Sequence, residues 1–236
     1  MAVVWQKLLL VSANSSFKLG FEMKKLHLIK ASVCVLSTCL IAGVNAADLK
    51  NTSGKSVVLP APEVSIATHD AYFDHIRKHC GKAYEGKITV DNAKGGGFAG
   101  KKLVMHVRRC SDHELQIPFH VGDDASRTWI LTKTGSGISL KHDHRQPDGN
   151  YDKSTMYGGH TLDAGWDRVQ SFPADQYSKE MFVKHGIPQS NGNTWQMFIY
   201  PEKFTYRMVR EGREFRVDFD LTKPITPPAA PWGYKD

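Results

Sequence analysis

His142 and His144 stand two residues apart in the segment Gly137-Ile138-Ser139-Leu140-Lys141-His142-Asp143-His144-Arg145. The segment alternates apolar and polar residues as a half-buried strand does, and both histidines fall on the apolar register. On one strand face their roots lie roughly 7 Å apart, at a rise of about 3.3 Å per residue. That spacing suits a shared metal, a shared ligand or a polar network inside a barrel. The same register turns Lys141, Asp143 and Arg145 toward water, and a slip of one residue would exchange the two sets.

A metal reading needs a third donor, and zinc or iron is the ion such a set would hold. His160 is the first candidate for it, followed by His120, His106 and Asp148. The start of the cupin metal pattern is similar, with Asp148 standing where a glutamate is expected and no later Pro-x-Gly turn followed by histidine. A ligand-binding reading uses different neighbours. Arg127, Trp129 and Leu131 share one strand face, Trp195, Met197 and Ile199 another, and Tyr206 and Met208 a third. Tryptophans and methionines with a few placed Arg and His groups are the usual lining of small-molecule sites. In that reading His142, His144 and Arg127 are polar anchors and Trp129 an apolar wall. Burial alone demands the same alternation, so plain core packing stays open beside it.

Other motifs are weaker. Asp148, Asn150, Asp152 and Ser154 have the alternate oxygen spacing of a calcium loop, but Lys153 and Gly159 occupy the turn-glycine and bidentate-glutamate positions, so a solvated hairpin loop is expected. Gly95-Gly96-Gly97 lacks the Lys-Ser/Thr ending of a phosphate loop and reads as a connector. No Gly-x-Ser-x-Gly elbow and no His-Glu-x-x-His helix is present.

Basic residues from Met23 to Lys30, an apolar run over Ala31–Gly43 and the small-residue triplet Val44-Asn45-Ala46 read as an export signal. Met23 is then the natural start, with residues 1–22 an upstream extension, and the run is too short for a permanent membrane span. Losing residues 1–46 removes five lysines and one glutamate and takes the net charge from +7 to +3. That balance argues against a nucleic-acid or anionic-membrane partner. Cys80 and Cys110 remain, a pair expected to form a disulfide in a periplasmic or secreted protein, with two buried thiols as the alternative.

The elements that must position these groups follow from pattern and punctuation. Residues 47–67 read as a loose arm and 68–222 as the folded domain. A Pro-rich tail over 223–236, with Pro224, Pro227, Pro228 and Pro231, cannot be helix or inner strand. A short amphipathic helix is expected over Thr68–Cys80, stopped by Gly81. Strands are expected at Lys82–Asp91, Lys102–Cys110, Leu115–Val121 (demoted to an edge, bulge or strand end by Pro118), Arg127–Lys133 and Gly137–Arg145, the last two joined through Thr134-Gly135-Ser136. Weaker ones follow at Thr155–Gly159 and Arg168–Phe172. One helix is inserted, capped by Asp175, with Tyr177, Met181 and Phe182 on its apolar side and Gly186 at its stop. Thr194–Tyr200, Phe204–Arg210 and Glu214–Leu221 complete the pattern. The fold class is all-β: an antiparallel up-and-down barrel of 8–10 strands with a short N-terminal helix and one inserted helix, a sandwich being the alternative.

A helix leading into Gly81-Lys82-Ala83-Tyr84-Glu85-Gly86 and then a β-meander resembles the lipocalin and fatty-acid-binding (calycin) layout, over roughly residues 68–222. Tyrosine stands, one residue further on, where lipocalins carry tryptophan. The segments Trp129–Thr132 and His142–Arg145 are similar to those of an uncharacterised family of secreted bacterial proteins, a resemblance that implies no activity. The expectation is an exported barrel that binds a small, partly apolar ligand without evident catalysis. The alternatives are a cupin-like metal-dependent enzyme using His142, His144 and His160, and a structural or interaction protein of the cell envelope with Trp232 and Tyr234 on a docking arm.

Overall fold

The computed structural model describes residues 65–93 and 97–235. The expected signal segment, the Met23 start, most of the arm and Gly95-Gly96 lie outside the described residues. Helix α1 (Ala67–Arg77) comes first. The strands of the first half are β1 (Ala83–Asp91), β2 (Leu103–His106), β3 (Arg109–Cys110), β4 (Glu114–Val121), β5 (Asp124–Thr134), β6 (Gly137–His144) and β7 (Tyr157–His160). Then come β8 (Val169–Pro173), α2 (Gln176–Lys184), a 3-10 turn (Pro188–Gly192), β9 (Thr194–Tyr200), β10 (Lys203–Arg210) and β11 (Arg213–Ile225). No helix among the described residues is long and apolar enough to cross a membrane.

All eleven strands belong to one antiparallel sheet, in the order β7-β6-β5-β4-β2-β1-β11-β10-β9-β8, with β3 beside β4. Apart from β2 passing over β3 to pair with β4, and the gap between β7 and β8, sequence neighbours pair with each other, and the first strand pairs with the last. The sheet is a nearly closed up-and-down barrel whose seam falls between β7 and β8. A single bridge, Gly159 to Ala174, spans that seam, backed by the Asp175 N–H donating to the Gly158 carbonyl at 3.0 Å. The approach is close enough to require glycine: a Cβ on Gly159 would lie 2.0 Å from the Pro173 carbonyl oxygen. Beside the seam, α2 is capped as expected, Asp175 accepting from the Ser178 N–H at 2.9 Å. Its buried side is Ser178, Met181 and Phe182, whereas Tyr177, expected on that side, is exposed.

Alternation sets what the barrel encloses. Ile117 and Phe119, Trp129 and Leu131, Ile138 and Leu140, Trp195 and Met197, and Val217 and Phe219 join one core. Helix α1 adds Tyr72, Phe73 and Ile76 to it. It covers the end of the barrel where Lys133 pairs with Asp70 at 2.6 Å. The helix ends at Arg77, three residues before the expected Cys80. From there the N–H groups of His79 and Cys80 bond three residues back, and Gly81, at φ +78°, delivers its own to Val107. Cys80 and Cys110 form the expected disulfide, tying this turn to β3.

Four expectations change in detail. The strand expected over Lys102–Cys110 is broken into β2 and β3. Pro118, opposite the break, is in an inner strand: its neighbour Gln116 accepts from the Arg108 N–H, so Pro118 turns its ring nitrogen to the side where pairing lapses. The last strand runs past Leu221 to Ile225, with Pro224 paired to Tyr84 beyond the end of β10, where its other side needs no ladder partner. The tail after it does not project as an arm but lies back on the barrel. The Trp232 N–H donates to the Ala125 carbonyl at 3.0 Å and the Tyr234 hydroxyl to Asp143 at 2.6 Å.

Candidate functional site

The hairpin β5–β6 sets the site. Its two-residue turn, Gly135-Ser136, fixes the register in which Trp129 faces His142 and Arg127 faces His144. Because side chains alternate, these four residues fall on one face. They line a single cavity of about 320 Å³ with Phe98, Phe119, Asp152, Tyr157, Phe182, Trp195, Tyr206 and Arg213 among its other walls. The cavity is at the barrel end opposite α1, since Arg127 and Lys133 stand near opposite ends of β5. The sequence reading placed the four inward, and the structure brings them together.

His142 is fully enclosed, and each ring nitrogen is engaged. Nδ1 lies 3.1 Å from the Tyr157 carbonyl, which can only accept, so Nδ1 carries the proton. Nε2 then accepts from the Tyr206 hydroxyl at 2.9 Å, with the Trp195 ring centroid 5.1 Å from that of the imidazole. The ring stacks on Tyr157 at 4.6 Å and 10°. Burial lowers the His142 pKa to about 3, so the imidazole is neutral. His144 is also shifted down, first by burial and then by the Arg127 charge. Its Nε2 is 3.4 Å from the Ser126 hydroxyl, and its buried Nδ1 has no hydrogen-bond partner among the described residues. Arg127 donates from Nη1 to Asp124 at 2.6 Å.

The donors proposed for a metal do not assemble. His160 lies toward the α1 end, its Nε2 against the Thr134 hydroxyl at 2.8 Å and its Nδ1 against the Thr161 carbonyl at 2.7 Å. His106 and His120 alternate with the core residues Met105 and Phe119, which turns them to the opposite face. Asp148 is exposed and holds Asn150 through both its N–H and its side-chain amide. Among the described residues no group of three or more His, Cys, Asp or Glu is placed to hold a metal ion. With both His142 nitrogens in use, the site does not fit zinc or iron. The Asp148–Ser154 stretch is a hairpin loop with an Arg145–Tyr151 bridge, its carboxylates turned onto their own backbone and amides.

Asp143 corrects the sequence reading most directly. It faces outward as expected, but it is 2% exposed rather than in water. Arg145 Nε donates to both its oxygens at 2.9 Å, Thr155 donates from its hydroxyl at 3.2 Å, and Tyr234 donates at 2.6 Å. Among the residues missed from sequence are Tyr157, whose hydroxyl is engaged by no group among the described residues, and Phe98, from the loop before β2. The weak strand signal around Tyr157 carried no hint that it would stack on His142.

Comparison with protein-family models, curated proteins and solved structures finds no match. The barrel is consistent with a calycin-like fold, and no family match supports the resemblance of Trp129–Thr132 and His142–Arg145 to secreted bacterial proteins.

Proposed function

We propose that the chain is an exported barrel protein that binds a small, partly apolar molecule in the cavity opposite α1, and that it does no chemistry on that molecule. His144 and Arg127 act as polar anchors, Trp129 as an apolar wall, and His142 as a neutral group that holds Tyr206 and Tyr157 in place. One observation carries this: Arg127, Trp129, His142 and His144 line a single cavity of about 320 Å³ with mostly aromatic walls. That volume is at the small end of ligand pockets, and a few convergent polar groups in an apolar wall are what such pockets use. Export rests on the basic–apolar–small pattern of residues 23–46 and agrees with the Cys80–Cys110 disulfide. Native mass spectrometry of the chain recovered from its own compartment tests the reading. One organic adduct per chain, lost when Ser190→Trp narrows the cavity, is expected. An adduct that survives this substitution, or stoichiometric bound metal in its place, would overturn it.

A further inference from the structure

The polar groups of the cavity differ in what they have left to give. Asp152 already accepts from Gln146 and from the Ser154 N–H, and Arg213 is tied to Asp91 at 2.8 Å. His142 is saturated. Arg127, by contrast, spends one of five guanidinium N–H groups on Asp124. The Tyr157 hydroxyl, kept protonated because burial pushes its pKa up, has no partner among the described residues. Both are donors, and the Arg127 charge is felt by His142, His144, Tyr157 and Tyr206 alike, opposed by the Asp152 carboxylate at His144 and Tyr157. A cation entering here would meet that charge at close range in a low-dielectric site, and an anion would be drawn to it.

The walls select shape. Phe119, Trp129 and Tyr206 lie nearly parallel, with centroids 4.8 and 4.5 Å from that of Trp129 and interplanar angles of 17° and 15°. Trp195 and the stacked His142–Tyr157 pair complete the wall. Aromatic contacts of this kind reward another ring by about 0.5–1.5 kcal/mol beyond area, and a rigid ring loses little conformational freedom on binding. A flexible acyl chain gains neither advantage.

Resting on the ligand-binding reading above, we infer that the occupant is a flat aromatic acid, its ring set against Trp129, Tyr206 and Trp195 and its acidic oxygens taken by Arg127 and the Tyr157 hydroxyl. Calorimetric titration of the full mature chain with 2-naphthoate, 2-naphthylmethanol, 2-naphthylmethylamine and decanoate tests it. Naphthoate is expected to bind at least tenfold more tightly than the alcohol or decanoate, and the amine more weakly than either. Tyr157→Phe, which keeps the ring stack, should weaken naphthoate about tenfold and leave the alcohol within twofold. If the alcohol, the amine or decanoate equals naphthoate, the aromatic-acid class is wrong and the cavity still binds. If none of the four binds, the ligand-binding reading falls with it. The wild-type comparison decides the matter even if the variant does not fold.

Discussion

The hydroxyl of Tyr234 donates to Oδ2 of Asp143 at 2.6 Å, joining residues 91 positions apart in the chain. Asp143 is the outward residue between His142 and His144, so the C-terminal tail is fastened to the back of the strand that carries the site. Tyr234→Phe leaves the buried carboxyl one donor short. Hydrogen bonds to charged groups contribute about 1.5–3 kcal/mol, and the lower end applies because Tyr234 is only half-buried. Urea unfolding should show a loss of about 1.5 kcal/mol. An unchanged midpoint would mean that water takes the place of the phenol.

His142 makes stability depend on pH in a defined window. Unfolded, the imidazole takes a proton as pH falls through about 6.5; folded, it resists until about pH 3 because it is buried. Between those values the unfolded chain binds the extra proton, so stability falls with falling pH by about 1.4 kcal/mol per unit. The contribution is complete above the unfolded value and is lost as pH drops toward the folded one. Unfolding free energies at pH 7, 6 and 5 measure the slope. His142→Gln, which cannot titrate, should flatten it by about that amount between pH 6 and 5, and an unchanged slope would refute the assignment.

The inward placement of His142, His144, Arg127 and Trp129 was legible because period-two alternation and one tight hairpin turn determine it locally. The Cys80–Cys110 bridge followed from the count of cysteines, and Asp175 from its position before an apolar-sided helix. Asp143 was not legible. Alternation gives the face a residue occupies, but water is kept from that face by a tail some 90 residues further on, which no local pattern announces. Tyr157 was missed for a related reason: its value to the site comes from a stack on His142 across paired strands. The separation of His160 from the histidine pair depends on where β7 pairs with β6, Ser139 opposite His160, and a short weak strand does not reveal that register.

Two glycines of β7 leave no room for a side chain, Gly158 on the side of β6 and Gly159 at the seam with β8. A Cβ on Gly158 would lie 1.8 Å from the Leu140 carbonyl oxygen, and one on Gly159 2.0 Å from that of Pro173. Both obstacles are backbone and cannot rotate away. Gly159→Ala should therefore cost more than about 3 kcal/mol, in the range of overpacked cores. Thermal unfolding followed by near-ultraviolet circular dichroism reads the loss. A variant that melts at the wild-type temperature would show that the barrel does not close as described.

The disulfide between Cys80 and Cys110 closes a loop with a sequence separation of 30. Loop-closure entropy puts its contribution at roughly 3–4 kcal/mol. It fastens the turn after α1 to β3, so its reduction should also loosen the helix end of the barrel before the cavity end. Urea unfolding with and without dithiothreitol gives the total. Hydrogen exchange gives the distribution, and faster exchange confined to β5–β6 would contradict it.

The tail also bears on the loop that leads into the cavity lining. Arg145 is bonded to Asp143, donates from Nη1 to the Gly149 carbonyl at 3.2 Å, and lies 3.6 Å over the Tyr151 ring and 5.8 Å from that of Tyr234. Gly149 and Gly233, both at positive φ, pass so closely that a Cβ on Gly233 would lie 2.8 Å from the Gly149 carbonyl oxygen. The loop held in this way continues directly into Asp152 and Ser154, which line the cavity. Deleting residues 231–236 should free that loop without removing any lining residue. The affinity change should then appear mainly in the dissociation rate, as it does for most changes at a preformed site. Stopped-flow tryptophan fluorescence with 2-naphthoate measures both rates. A several-fold faster dissociation with association changed less than twofold is expected, and equal dissociation from the truncated and full chains would separate the tail from the site.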